Sequence, residues 1–400
     1  MEKNIFIIGA GIAGSSLAHF LAKSGWTVTL LEEQHDIAQG GSGNPVAAIY
    51  PKFMVSDEAY NNFMLKSFMF TTAWISQLGL DKNDYKFDGA IEILEEEYAH
   101  RLAFNLSKKI PNTEKLFSTL NQSILKKYSI DKESSGLFFH KGGWVNPVAL
   151  CRYLINNKSI KVLTGHKIVS IKKLNNQWAL KTQDKKKFNT HYVAICNAEH
   201  VQKFDLTEHL FADAFRGQIN WVNQTSLKMP SIVSCDEGYL APLIRGKHIF
   251  GATYAMNDFE KNLKLSDTRK NITSIKEIHQ AFYEHCLAEK TIDGRVAWRA
   301  SAKDRKPYVG RVFDNELFTK MRVRELAQGE NLPWLKGLYV ASAFGSRGLT
   351  YAPYSAYVLS NLINENLTNE DKETLNYTNP ERYRLKKMSL KKVASRIFQV

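Results

Sequence analysis

Asn4-Ile-Phe-Ile-Ile-Gly-Ala-Gly-Ile-Ala-Gly14 is the stretch that decides the fold. Residues 4–8 form a short, unbroken apolar run, the pattern of a strand buried on both faces. Gly9, Gly11 and Gly14 follow at once. Ala13, Leu17, Phe20, Leu21 and Ser24 then recur at helical spacing, and Gly25 stops the helix. Thr27-Val-Thr-Leu-Leu31 reads as a second strand with Glu32 at its end. Strand, glycines, helix, strand and acid stand in the order of a βαβ dinucleotide unit. Gly9 permits the tight turn, Gly11 lets backbone approach a pyrophosphate, and Gly14 lets the helix pack closely on the sheet. The helix N-terminus offers N–H groups and a positive dipole end to phosphates. Glu32 is placed to accept from both ribose hydroxyls and to repel a 2′-phosphate.

The unit alone does not separate FAD from NAD. Outward from it, Gly40-Gly-Ser-Gly-Asn44 is a second small-residue turn where backbone can approach a cofactor. Near the other end, Gly337–Ala341 reads as a strand and Phe344-Gly-Ser-Arg-Gly-Leu-Thr350 as a loop, with an apolar helix expected from about Ala352 to Ile363. A second phosphate-type turn without its own fingerprint points to one long cofactor touched from both ends of the chain. No second GxGxxG is present, so a separate NAD(P)H domain is not expected, and electrons would leave to dioxygen or another acceptor.

Between these ends, Asn146 reads as a helix N-cap before Pro147, and strand-like stretches fall at 160–164, 168–172, 178–182 and 192–196. From about residue 215 the texture turns to alternating strands, with an earlier piece at 87–94. With 400 residues, two domains are expected: a discontinuous dinucleotide domain over 1–85, 142–214 and 330–370, and a mainly antiparallel substrate domain over 86–141 and 215–329. Lys185-Lys-Lys187 reads as a hairpin tip. The four cysteines form no C-x-x-C pair, and the eleven histidines are scattered, so neither a metal site nor a disulfide scaffold is expected. No signal peptide or membrane span is read, which makes the cytoplasm the expected compartment. Lys plus Arg number 54 against 40 acids, a net charge of +14, a surplus that speeds encounter with polyanions. The tail 371–400 concentrates it: from Arg382 to Arg396 it holds seven Lys or Arg and no acid, interleaved with Tyr383, Leu385, Met388, Leu390 and Val393. That pattern suits a helix lying on RNA or on a partner surface.

Arg295-Val-Ala-Trp-Arg-Ala-Ser-Ala-Lys-Asp-Arg-Lys-Pro-Tyr-Val-Gly310, taken with both ends and the 40–44 turn, resembles the D-amino-acid oxidase and glycine oxidase family of flavoproteins. Within it, Gly41–Pro51, Gly142–Pro147, Phe215-Arg-Gly-Gln218, Gly238–Pro242, Gly345–Leu349 and Asn379-Pro-Glu-Arg382 resemble the FAD-dependent oxidoreductase half of the bifunctional tRNA 5-methylaminomethyl-2-thiouridine biosynthesis proteins. The resemblance implies an α/β Rossmann-like FAD-binding domain with an inserted, mainly antiparallel substrate domain. It implies FAD contacts at Gly9, Gly11, Ala13, Gly14, Glu32, Ser42, Gly43, Asn44, Val169, Asn197, Gly345, Ser346, Gly348 and Leu349. It also implies that Arg299, helped by Tyr239, grips a substrate carboxylate, and that Arg347 lies near the flavin ring. The implied substrate is 5-carboxymethylaminomethyl(-2-thio)uridine at the wobble position of tRNA, whose side chain is an N-substituted glycine. Its oxidation would release glyoxylate. Ala198 stands where that family has glycine. The methyltransferase half is not expected in this chain, so the final methylation would fall to a separate methyltransferase acting in trans. Two other readings stand beside this one: an oxidase of glycine, sarcosine or a D-amino acid, and a non-catalytic flavin-bearing RNA-binding protein.

Overall fold

The computed structural model describes residues 3–130, 134–321 and 332–387. Strand β1 (Asn4–Ile8), helix α1 (Ile12–Lys23) and strand β2 (Thr27–Leu31) form the expected unit, with Gly9 at φ 102° in the turn and Gly25 at φ 82° after the helix. These strands sit inside a six-stranded sheet. Its order runs Tyr308–Phe313, Trp334–Ser342, Val193–Ile195, β1, β2, Ile160–Leu163, parallel throughout except for the first pair. One face packs on helices α1, Glu58–Gln77, Pro147–Ile155 and Gly348–Ile363 through a core that includes Ile5, Ile7, Leu17, Phe68, Leu150 and Leu359. The other face is covered by a meander of 168–174, 177–182 and 187–190, joined through Ile8, Leu31, Trp178, Val193 and Val340. Sheets with helices and strands on opposite faces bury both sides, which is why β1 reads as continuous rather than alternating.

The second sheet is centred on Asp213–Asn223, which pairs antiparallel with Asp293–Ser301 on one edge and with Lys247–Gly251 and Ala255–Met256 on the other. It continues through Tyr239–Leu240, Val233–Cys235, Ala90–Ile93, Gly136–Phe139 and Phe117–Thr119, with the contact between Val233–Cys235 and Ala90–Ile93 its parallel step. Helices Leu265–Ser274 and Gln280–Ala288 cover it through Val222, Leu240, Phe250, Ile272 and Phe282.

Two expectations are corrected. Tyr308–Phe313 pairs with Trp334–Ser342 in the six-stranded sheet, so a division at residue 329 cuts through that sheet. The apolar helix begins at Gly348, not near Ala352. Pro353 lies inside that helix, where its ring removes one backbone donor close to the N-terminus. The Asn146 cap stands as expected, its Oδ1 accepting from the N–H of Val148 and Ala149 ahead of Pro147. Lys185 lies in the turn between two meander strands at φ 67°. Residues 388–400, the last part of the basic tail, lie outside the described residues, while Arg382 and Arg384 do not. Arg382 is bound to both oxygens of Asp304 at 2.7 Å and to the carbonyls of Lys306 and Pro307. Its role is to tie the chain end to the body, not to offer free charge. Among the described residues no helix is long and apolar enough to cross a membrane.

Candidate active site

A cleft of about 1490 Å³ runs between the two sheets and is lined from β1, α1, β2, the 38–54 segment, both edges of the antiparallel sheet and the 341–351 segment. Of the residues expected at a cofactor, Gly9, Gly11, Ala13, Glu32, Ser42, Asn44, Asn197, Gly345, Ser346, Gly348 and Leu349 line it; Gly14, Gly43 and Val169 do not.

The dinucleotide end follows from local chemistry. Gly11 supplies no capping side chain and α1 has no acid in its first turn, so its positive end is left for an anion. The Ser42 hydroxyl accepts from Ile12 N at 3.0 Å, joining the 40–44 turn to the helix start. A Cβ on Gly11 would stand 3.1 Å from that oxygen. Glu32 is buried; its Oε2 accepts from Ala10 N and its Oε1 from Gln34 N. Burial raises its pKa, and those two N–H groups oppose the rise. Asn197 Oδ1 is buried with no hydrogen-bond partner in a residue that lines the cleft. A polar atom left so is costly unless a ligand satisfies it. Ala198 takes φ 50°, the left-handed region that favours glycine, and its carbonyl accepts from Ser342 Oγ at 2.7 Å. The glycine-free sequence is accommodated there. Helix Gly348–Ile363 starts at the cleft, also without an acid in its first turn. Two helix N-termini, two small-residue turns, a ribose-type acid and an orphaned amide oxygen fit FAD.

Three expected contacts are placed differently. Gly14 packs: a Cβ there would lie 1.9 Å from the Gly9 carbonyl oxygen. Gly43 also packs, because a Cβ would strike Arg295 Nη2 and Ala38 O. Val169 is 46 % exposed, since strand alternation turns Ile168 to the cleft and Val169 away.

The other end of the cleft holds a cation without an anion. Arg299 lies on Asp293–Ser301 opposite Phe215. Its guanidinium crosses over Gly217, where a Cβ would come within 2.5 Å of Nη1, and it donates to Thr253 O at 3.1 Å. Among the described residues no carboxylate pairs with it. The Tyr239 and Tyr254 hydroxyl-bearing rings flank it instead, and its centre lies 5.9 Å from the Tyr254 ring. Burial lowers the Arg299 pKa, and the same burial raises that of Tyr239 and of Tyr254. A guanidinium in a cleft wall beside two phenols is chemically suited to a carboxylate, the anion it matches in a bidentate fork. Arg347 lies over the Tyr50 ring at 4.8 Å and donates to Tyr50 O and Oη at 3.3 and 3.4 Å. Beneath it Glu92 is buried, with Oε1 3.7 Å from Lys52 Nζ and Oε2 unpartnered.

Sequence reasoning passed over Tyr254, Tyr50, Glu92 and Arg295. Arg295 donates to Asn44 Oδ1 at 2.9 Å and to the carbonyls of Gln39 and Gly40, so it braces the 39–44 turn from the other sheet. Its place four residues before Arg299 was the available signal: two arginines separated by an even step share a strand face. The four cysteines are buried and free, with burial pushing Cys151, Cys196 and Cys235 up to about 12.

The family model described as FAD dependent oxidoreductase matches residues 4–362. The chain belongs to that family. FAD is therefore its cofactor, and it is an FAD-dependent oxidoreductase. Curated relatives include the tRNA 5-methylaminomethyl-2-thiouridine biosynthesis bifunctional protein MnmC of Methylobacillus flagellatus, 29 % identical over 97 % of this chain and 60 % of the relative. The protein of the same name from Legionella pneumophila (strain Lens) is 31 % identical over 97 % of this chain and 58 % of its own length. The chain thus spans a little under two thirds of these relatives. Among solved structures, glycine oxidase from Bacillus cereus superposes with a TM-score of 0.74 at 19 % identity, covering 92 % of this chain and 99 % of that one. L-proline dehydrogenase from P. horikoshii gives 0.77 at 17 % identity, covering 96 % and 98 %. These two likenesses establish the fold.

Proposed function

We propose that this chain removes the carboxymethyl group from 5-carboxymethylaminomethyl(-2-thio)uridine at the tRNA wobble position, giving 5-aminomethyl(-2-thio)uridine and glyoxylate. The observation that carries the reading is Arg299, a guanidinium in the cleft wall with no carboxylate partner among the described residues and with Tyr239 and Tyr254 in its field. The names of the bifunctional relatives supply the tRNA.

Gly9, Gly11, Ala13, Glu32, Ser42, Asn44, Asn197 and the 345–349 turn would hold FAD, and Gly14, Gly43 and Arg295 would keep their backbone in place. When bound there, FAD supplies the two-electron acceptor for oxidising the carbon–nitrogen bond beside the carboxylate. Arg299 binds the carboxylate of the N-substituted glycine and the two tyrosine hydroxyls donate to it, which fixes the methylene between carboxylate and nitrogen. Orientation of this kind contributes roughly 7–11 kcal/mol in well-aligned systems without a proton-transfer residue. Arg347 holds the Tyr50 side of the cleft and excludes water there. Water then hydrolyses the substrate imine, breaking its carbon–nitrogen bond to release glyoxylate and the primary amine.

Mass spectrometry of wobble nucleosides in cells lacking the gene tests the reading. Accumulation of the carboxymethylaminomethyl form is expected. An unchanged nucleoside profile overturns it, and a free glycine or sarcosine substrate becomes the better reading.

A further inference from the structure

The segment 257–264 at the mouth of the cleft is ordered by groups that the chemistry above does not use. Arg216, from the Phe215-Arg-Gly-Gln218 motif, is fully buried and donates from Nε to Glu260 O at 2.7 Å and from Nη2 to Asn262 O at 2.6 Å. It is held in turn by an ion pair with Asp267. Gln218 Oε1 accepts from Lys264 N at 2.8 Å, and Trp298 Nε1 donates to Asp258 O at 2.8 Å. These bonds fix the course of the loop backbone. What it presents is an aromatic ring in solvent: Phe259 is 68 % exposed and lines the cleft mouth with Met256 and Tyr254.

Basic groups gather beside Phe259, while Asp213, Asp236 and Glu237 also line the cleft. The acids interleaved with these basic groups in sequence are engaged within the protein, Asp258 with Lys264, Asp304 with Arg382, and Glu260 with Asn262 N. Lys261, Lys303 and Arg305 also line the mouth, are exposed, and have no ion pair among the described residues. An exposed ring that shares a cleft mouth with exposed cations matches an unpaired nucleobase between two phosphates, since every base has a face to stack and a charged backbone beside it.

We infer that Phe259 is the stacking platform for a base next to the wobble uridine, with Lys261, Lys303 and Arg305 on the flanking phosphates. This rests on the reading of an RNA-borne substrate and names the surface that would hold the RNA while one nucleotide enters the cleft. The test uses the FAD-loaded full chain and an anticodon stem–loop carrying the modified uridine. Phe259→Ala should raise KM by about tenfold or more, on the scale of base–aromatic stacking, with kcat and the flavin spectrum kept, and Phe259→Trp should restore it. Abasic nucleotides beside the wobble position should cost the wild type a similar factor and cost Phe259→Ala no more. A Phe259→Ala enzyme with unchanged KM overturns the inference and leaves the RNA reading standing. Wild-type enzyme that does not turn over the stem–loop overturns that reading itself.

Discussion

Arg299, half-buried in the cleft wall, and Glu92, fully buried, have opposite consequences. Arg299 faces the cleft with its donors available, so a carboxylate entering there gains a charge-assisted fork in a low-dielectric wall. Arg299→Ala should keep the flavin spectrum and lose on the order of 100-fold or more in turnover, read by steady-state kinetics on the modified stem–loop. Arg299→Lys should recover little, because an ammonium does not offer the planar fork. Glu92 faces inward, and burial raises its pKa against the pull of Lys52 and Arg347. The folded chain therefore keeps this proton to higher pH than the unfolded chain does. Stability falls as pH rises from the ordinary carboxylate range through the raised value. Glu92→Gln, which cannot ionise, should match the wild type near ~pH 4 and exceed it at neutral pH by about 1 kcal/mol. Denaturant midpoints at both pH values check this; a gap that does not change with pH contradicts it.

Among the elements, the tightest constraint is the crossing of α1 over the first turn. A Cβ on Gly14 would meet the Gly9 carbonyl oxygen at 1.9 Å and Ile7 Cγ2 at 3.3 Å. Gly14→Ala should cost about 1–3 kcal/mol by overpacking and loosen FAD with it, measured as a lower Tm and flavin lost on gel filtration. What the sequence makes legible follows the same scale. Gly14 acts on Gly9 and Ile7, and Glu32 on Ala10 and Gln34, all within or beside one βαβ unit, so spacing exposes them. Arg295, Tyr254 and Glu92 act on segments far along the chain, and only sheet pairing brings them there. Val169 and Ile168 differ in which face of one strand they occupy, a choice that tertiary packing makes. The Asn379-Pro-Glu-Arg382 motif reads as part of a basic tail, yet Glu381 is buried against Phe313 N and His209, and Arg382 is spent on Asp304.

For the whole molecule, the net charge of +14 and the exposed Lys261, Lys303 and Arg305 at the cleft predict electrostatic capture of the RNA. The logarithm of the tRNA binding constant should fall with the logarithm of salt. Three phosphate contacts alone give a slope near −2, and Lys261→Gln should make it shallower by about 0.7. Fluorescence titrations at several salt concentrations measure both; salt-independent binding contradicts this. The fold serves the same end. One sheet presents helix N-termini and glycine turns to the cofactor, the other presents Arg299 and its tyrosines, and the substrate enters between them. That account is tested most directly by adding tRNA carrying 5-carboxymethylaminomethyl-uridine to the FAD-loaded protein without oxygen. The flavin's visible absorption should bleach with one glyoxylate formed per flavin, and Arg299→Ala should stay yellow. A wild-type flavin that stays oxidised with this tRNA yet bleaches with free glycine or sarcosine would contradict it.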